Sequence, residues 1–495
     1  MPPGQHRDGL ITEVGTRLAH LPDGATAVIA CSGGPDSTAL AFLTAEARPD
    51  LALIVAHVAH GLRPADVDRR ERDVVRQHAD WLGCRFDPVD VEVVLTDAGT
   101  EAAARDARYE GLRGVADAHR AAAILVGHSA DDQAETVLLR LARGTGVDGL
   151  AAMAPVAGDV TRPLLRLRRD DLRGFVREEG LPSFLDPANE PSDESGDDGP
   201  SIGRITVRDQ VLPALAHVAP DPIGALGRLA DLARDDAAAL RAAAGAALDV
   251  RWFGGAAVVD RDHLDGVHPA LARRVVHAVL TALHGRPPSA AVVEQVRTAV
   301  AGVRRTLPGA IDLEVTAGST VLSQPVDAAP VVAVEVPGFA EWPLAGLRLR
   351  ARTPQEAGSA GELAQPTLEL PGAWTPPPSR PDPLATPPGG CTERLTVWLP
   401  EGLGRLTLRT RRSGDRIVTI AGTHRLAEVF RDAHVPRALR SRWPVLEADD
   451  GAGRSRIVWV PGLSVDGEVA AAGRRQPAIT LELQRGHRDR SRSGA

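Results

Sequence analysis

The chain has 495 residues, 43% hydrophobic and 25% charged, a balance that fits about three globular domains and excludes a disordered or collagen-like chain. All 57 basic residues are arginine, so mechanisms built on the protein's own ammonium group, from a Walker-A loop to a Schiff-base lysine, are excluded. The net charge of −8 does not decide partners; the three scattered cysteines (Cys31, Cys84 and Cys391) include no CxxC pair, which argues against a zinc knuckle or iron–sulfur cluster and fits a reducing cytoplasm.

The first residues carry no apolar leader, and no apolar run approaches the roughly 18 residues of a membrane span, so a soluble cytoplasmic protein is expected. From Thr26 to Leu215, short apolar runs alternate with helical stretches. Thr26–Cys31, Leu51–His57 and Ala121–Gly127 are continuously apolar, the pattern of parallel strands covered on both faces. Between them, Thr38–Ala47, Val67–Trp81 and Thr100–His119 read as helices, the last two amphipathic. The alternation predicts an α/β fold with a doubly wound parallel sheet. Glu190–Ser201 is acidic and apolar-poor and reads as a disordered surface insertion. The Ala-, Leu- and Arg-rich stretch Pro220–Val300 predicts a small helical domain, followed by strands at Asp312–Leu322 and Val331–Val336. Pro354–Gly390 is rich in proline and glycine and reads as a linker or long loop that few contacts cross. Patterning resumes over Arg394–Leu483, with strands at Leu406–Thr410 and Ile457–Val460. A C-terminal α+β domain is therefore expected there, ahead of a basic tail, Arg485–Ala495.

The strongest motif is Ser32-Gly33-Gly34-Pro35-Asp36-Ser37, set between the first strand and the next helix. Glycines let backbone N–H groups approach a phosphate, and the helix dipole favours negative charge there. Ser32, Ser37 and Thr38 add hydroxyl donors. A carboxylate inside such a cradle suits the site only with a cation beside it, so Asp36 suggests Mg2+ bridging to phosphate, with no ligand set for the metal assigned.

This motif resembles the pyrophosphate loop of the N-type ATP pyrophosphatases. Further blocks occur in order: His57-Val58-Ala59-His60-Gly61-Leu62-Arg63, Ala104-Arg105-Asp106-Ala107-Arg108-Tyr109, Gly127-His128-Ser129-Ala130-Asp131-Asp132-Gln133-Ala134-Glu135-Thr136, Arg143-Gly144-Thr145-Gly146, Arg162-Pro163-Leu164-Leu165 and Asp186-Pro187-Ala188-Asn189. Arg411-Arg412-Ser413-Gly414-Asp415-Arg416, Leu426–Phe430, Val435-Pro436 and Trp459-Val460-Pro461-Gly462 follow. Together these resemble the tRNA(Ile)-lysidine synthetase family. The resemblance is specific over residues 26–215, fair over 394–465 and weak between. Ser129 stands where that family usually has a second histidine, Arg204-Ile205-Thr206-Val207-Arg208 replaces its Arg-Asn-x-Ile-Arg block, and arginines replace its C-terminal lysines.

The resemblance implies a domain order of 1–217 as ATP pyrophosphatase catalytic domain, 218–345 as mainly helical middle domain, 346–393 as linker, 394–484 as C-terminal tRNA-binding domain and 485–495 as tail. It implies two steps. ATP adenylates the carbon-2 oxygen of the wobble cytidine of the CAU-anticodon isoleucine tRNA, releasing pyrophosphate. The ε-amine of free L-lysine then displaces AMP, giving lysidine. Ser32, Gly33, Gly34, Pro35, Asp36 and Ser37 are then the ATP-binding residues, and Asp36, Arg105 and Asp132 the catalytic candidates. With lysine absent, cationic help to the phosphates falls to Arg105, Arg108 or Mg2+; the two arginines sit three residues apart on one helix face. Asp131, Asp132 and Glu135 are candidates for holding the substrate ammonium, and they equally suit capping a helix start. His57, His60 and His128 could stack on a base or pack at strand ends. Arg63, Arg108, Arg166, Arg411, Arg412 and Arg416 are tRNA-binding candidates, within the basic segments Arg162–Arg177 and Arg405–Arg416; Arg405 and Arg409 belong to the same expectation. A homodimer is compatible with the sequence. Rival readings are a tRNA 2-thiolating enzyme, which needs catalytic cysteine pairs, a small-molecule amidating ligase, and a non-catalytic tRNA-binding module.

Overall fold

A computed structural model describes residues 3–59, 65–93, 100–184, 200–253, 255–326, 330–335, 338–342, 347–352, 392–397, 405–449, 454–467 and 479–485. The chain divides into two compact units, Met1–Ala239 and Leu240–Ser493. The first runs α1 (Pro3–Leu18), β1 (Thr26–Ala30), α2 (Pro35–Ala47), β2 (Ala52–Ala59), α3 (Ala65–Leu82), β3 (Arg85–Asp90), α4 (Thr100–His119) and β4 (Ala123–Val126). It continues with α5 (Ala130–Ala142), α6 (Val147–Leu150), β5 (Val156–Ala157), β6 (Val160–Thr161), α7 (Arg169–Glu178), α8 (Pro200–Thr206) and α9 (Leu212–Ala216). Helix α10 (Pro222–Ala247) crosses the division between units.

The sheet order is β3-β2-β1-β4-β6-β5, parallel except for the β5–β6 pair. Alternate residues of β1 enter opposite cores. Ala27 and Ile29 join Leu40, Leu43, Leu172 and Phe175 on one face, and Val28 joins Leu112, Ile124 and Val126 on the other. Burial on both faces is why these strands are continuously apolar, each large aliphatic side chain contributing about 1.5–3 kcal/mol. Chain order runs outward from β1 to β3 and then reverses to β4. The crevice at the carboxyl ends of β1 and β4 is thus the topological switch point, where open α/β sheets bind ligands.

The second unit opens with β7 (Val250–Phe253), β8 (Ala256–Asp260), α11 (Arg261–Gly266), α12 (Pro269–His284), α13 (Ala290–Arg297), β9 (Arg304–Leu307), β10 (Ile311–Val315) and β11 (Ser319–Ser323). The mainly helical middle stretch expected from composition is here helices on an antiparallel sheet, order β7-β8-β11-β10-β9. Val276, Val279 and Leu280 of α12 pack on Ala257, Leu313 and Leu322. The single strand expected over Asp312–Leu322 is a hairpin, because the Ser319 N–H donates to Thr316 Oγ1 at 3.0 Å and closes a turn.

Then come β12 (Val331–Val334), β13 (Gly338–Trp342), β14 (Leu347–Arg352), β15 (Thr392–Val397), β16 (Leu406–Thr410), β17 (Arg416–Thr419), β18 (Gly422–Arg425), α14 (Leu426–Asp432) and α15 (Arg437–Arg440). The unit finishes with β19 (Pro444–Asp449), β20 (Ser455–Val460), β21 (Ser464–Val465) and β22 (Ile479–Arg485). Two antiparallel sheets result, β12-β16-β19-β20-β21 and β13-β14-β22-β15.

Those pairings correct the linker expectation. Val332 pairs with Leu408 and Leu349 with Leu483, so strands before and after the Pro/Gly-rich stretch are sheet neighbours. The stretch joins parts of one unit and does not separate two. Residues 353–391, most of the acidic insertion (190–199) and residues 486–495 of the tail lie outside the described residues. Among the described residues, no helix is long and apolar enough to cross a membrane.

Candidate active site and C-terminal arginine face

The loop after β1 is shaped by Gly33, whose φ of +81° is the left-handed conformation that glycine adopts without strain. The Phe184 N–H donates to Gly33 O at 2.7 Å. Ser37 Oγ donates to Gly34 O (2.9 Å) and accepts from the Ser32 N–H (3.2 Å), so the loop hydroxyls brace the turn. Helix α2 begins at Pro35 with no side-chain cap, leaving its N-terminal dipole open toward the loop. The end of β4 comes so close that a Cβ at Gly127 would sit 3.2 Å from Asp36 O and 3.3 Å from Ser37 Cα.

Asp36, in the first turn of α2, is pushed up to about 6 by burial, opposed by Arg169 and assisted by Asp132. Its Oδ2 lies 3.6 Å from Arg169 Nε, while its buried Oδ1 has no hydrogen-bond partner. Arg169 opens α7 and is almost completely buried. Its Nη2 donates to Asp132 Oδ1 (2.8 Å), its Nη1 to Glu135 Oε1 (3.2 Å), and its backbone N–H to Asp131 Oδ2 (2.8 Å). Burial works against this guanidinium, but Asp132, Glu135 and Asp36 outweigh it and raise its pKa. Arg208, on a widened helical turn (Val207–Val211), donates from Nε to Glu135 Oε1 at 3.0 Å.

The three acidic candidates of α5 therefore differ. Ser129 caps the helix: its hydroxyl and N–H both donate to Asp132 Oδ2 at 2.8 Å, while the Asp132 N–H donates back to Ser129 Oγ. Burial disfavours the Asp132 carboxylate, yet Arg169, Ser129 and His128 outweigh that and hold it below the usual range. Asp131 caps α7, and Arg168 Nε lies 3.6 Å from it. Glu135 is fully buried and keeps one oxygen, Oε2, without a partner.

His128 follows β4; burial lowers its pKa to about 4, Asp132 opposes that, and Arg162, Arg105 and Arg204 reinforce it. Its Nδ1 is buried without a partner. Arg105 and Arg108 are both exposed on α4, and the Arg105 guanidinium lies over the Tyr109 ring, 5.3 Å from its centre. His57 is buried with Nδ1 3.1 Å from Cys31 O, which places it in strand-end packing. His60, Arg63 and the Asp186–Asn189 block lie outside the described residues.

The basic segment Arg162–Arg177 is not one phosphate-facing surface. Arg162 is buried and donates to Ala154 O (2.8 Å), Arg169 is buried among carboxylates, and exposed Arg166 pairs with Asp231 (2.7 Å). Sequence reasoning missed Arg169 and Arg208 as site residues. For Arg169 the signal was present: with Leu172 and Val176 it falls on the apolar stripe of α7.

In the second unit Arg409 also faces inward, bound to Asp415 and Glu447, and so is removed from the phosphate-contact expectation. Arg405, Arg412 and Arg416 are exposed. Arg411 lines a hollow of about 390 Å³ with Ala427, Arg437, Arg440 and Ser441. Burial lowers the Arg440 pKa; Glu314 opposes this, and Arg437 and Arg411 add to the depression, as a cationic basin requires.

Comparison with known proteins follows the same division. The PP-loop domain matches residues 11–215, the TilS substrate binding domain residues 259–313, and the TilS substrate C-terminal domain residues 406–482. A tRNA(Ile)-lysidine synthase of Thermobifida fusca is 42% identical over 290 residues, covering 58% of this chain and 85% of that one. Those of Geobacillus kaustophilus and Symbiobacterium thermophilum are each 30% identical, covering 90% and 96% of this chain and 92% and 97% of theirs. With relatives at this identity matched over nearly their whole length, the chain belongs to the tRNA(Ile)-lysidine synthase family.

Proposed function

We propose that the crevice at the ends of β1 and β4 joins free L-lysine to carbon 2 of the wobble cytidine in the CAU-anticodon isoleucine tRNA, at the expense of ATP. As a family member the chain is a ligase that forms the carbon–nitrogen bond of lysidine on tRNA. The finer reading assigns the two steps to this chain's residues. The glycine-rich turn and the open N-terminus of α2 hold the ATP phosphates. Arg105 and Arg108 supply positive charge as pyrophosphate leaves. His128, kept neutral by its surroundings, offers an unpartnered ring nitrogen to a base. For the second step, Glu135 keeps a buried carboxylate oxygen without a partner that a substrate ammonium can take, whereas both oxygens of Asp132 are engaged by Arg169 and Ser129. Asp132 then acts by holding the array, and Asp131 by capping α7.

Mg2+ belongs to this proposal. The unpartnered Oδ1 of Asp36 fits a cation. Among the described residues no three His, Cys, Asp or Glu side chains group to hold a metal alone, so phosphate oxygens must complete its shell, as Mg2+ commonly requires. When bound it neutralises developing phosphate charge. In the second unit the exposed Arg412 and Arg416, with the half-buried Arg411, take the tRNA backbone in this reading, with a homodimer as the assembly.

The observation that carries the reading is the convergence of the phosphate loop, His128 and the α5 carboxylates on one switch-point crevice. Its test is incubation with the CAU-anticodon isoleucine transcript, ATP and labelled lysine. Wild type should transfer label to tRNA. Asp36→Ala should lose tRNA-dependent pyrophosphate release while keeping the fold and tRNA affinity. Near-normal release by that variant would sink the assignment.

A further inference from the structure

We infer that Arg169 is a positioning residue for both half-reactions, fixing the loop carboxylate Asp36 and the α5 carboxylates Asp132 and Glu135 as one rigid array. The inference rests on the roles proposed above for Asp36 and Glu135. Each of the three guanidinium nitrogens faces a different carboxylate: Nε to Asp36 at 3.6 Å, Nη2 to Asp132 at 2.8 Å and Nη1 to Glu135 at 3.2 Å. These carboxylates come from two elements, α2 at the nucleotide loop and α5. A fourth, Asp131, receives the Arg169 backbone N–H, so the array also fixes where α7 begins. A planar guanidinium presents donors in several fixed directions, which a single ammonium cannot reproduce. Asp36 Oδ1 and Glu135 Oε2, the two buried oxygens without a hydrogen-bond partner, belong to carboxylates whose other oxygen faces Arg169. Any shift of Arg169 therefore moves the phosphate end and the amine end of the site together.

The test uses full-length enzyme and resolves the steps: pyrophosphate release with tRNA and ATP but no lysine, then lysine transfer to pre-adenylated tRNA. Wild-type turnover of both steps checks the functional reading separately. Arg169→Lys keeps the charge and loses the fork. It should slow both steps by about 10²-fold in kcat, with a smaller change in the KM for ATP, because misplacement of roughly 1 Å costs that much. Melting and circular dichroism give the folded fraction. Should the lysine variant not fold, Asp131→Ala removes the acceptor of the Arg169 N–H while leaving the three guanidinium contacts in place, and should slow both steps in parallel, roughly five- to tenfold. Slowing of one step only, of neither, or in proportion to lost folded protein would overturn the inference.

Discussion

Replacing Arg409 with methionine separates a structural arginine from its phosphate-facing neighbours. All five N–H groups of Arg409 are engaged: Nε and Nη2 with Glu447 (2.9 and 3.0 Å), Nη1 and Nη2 with Asp415 (2.8 and 3.1 Å), and Nη1 with Thr410 O (3.0 Å). The side chain is 3% exposed, and its partners 11% and 15%, so solvent screens little of the interaction. Arg409→Met strands both carboxylates, and breaking a buried pair from one side costs about 3–5 kcal/mol. Asp415 keeps the Arg412 N–H and Glu447 keeps Ser455, which favours the lower end. For a unit of this size about 3 kcal/mol lowers Tm by roughly 6–12 °C. Tryptophan fluorescence reports it, since every tryptophan but Trp81 lies in the second unit. The pH dependence has a definite sign. Arg409 holds the Glu447 carboxyl below its ordinary value, so the contribution is full above the usual carboxylate range and fades as pH falls through the lowered pKa. The gap between wild type and variant should close in acid. An unchanged Tm with a salt slope of tRNA binding shallower by about one would refute this, because it would mean that Arg409 meets a phosphate.

Two further outcomes follow from the same geometry. Glu135→Gln should raise the KM for lysine roughly 10- to 150-fold, the loss of a charge-assisted contact of about 1.5–3 kcal/mol, with the KM for ATP much less affected; substrate titrations of each would decide it. A chain cut after Pro354 should aggregate, because β12 loses β16 and β14 loses β22, whereas a chain ending at Ala247 should still bind ATP. Soluble yield and nucleotide binding of the two truncations would check this, and a well-behaved cut at Pro354 would count against the pairing.

The first unit was largely legible because burial on both faces forces its central strands into unbroken apolar runs. Strand β3 (Arg85–Asp90) escaped, since an edge strand that is half solvated keeps charges and a proline. In the second unit the segment Ala256–Asp260 is too short and alanine-rich for its period to tell a strand from a helix. The long Pro/Gly stretch looked like a boundary because composition reports local stiffness and says nothing of which distant strands pair. The loop motif and the carboxylates of α5 were found by type and spacing. The apolar stripe of α7 marks Arg169 as the inward arginine of Arg166-Leu167-Arg168-Arg169, but not its partners, because Asp36, Asp132 and Glu135 come from distant segments that only the fold brings together.

The pairing of β14 with β22 also sets an order of assembly during synthesis. Arg352 faces Thr480, so that sheet cannot close until the ribosome has released almost all of the second unit. The first unit is complete by Ala239 and can fold while translation continues. At about 5–20 residues per second, the rest takes on the order of 10–50 s to appear. The nucleotide crevice exists throughout that time, and for its later part, about 6–26 s between Arg352 and Thr480, the edge of β14 waits for its partner, a nascent state that offers chaperones a substrate before the enzyme has its own.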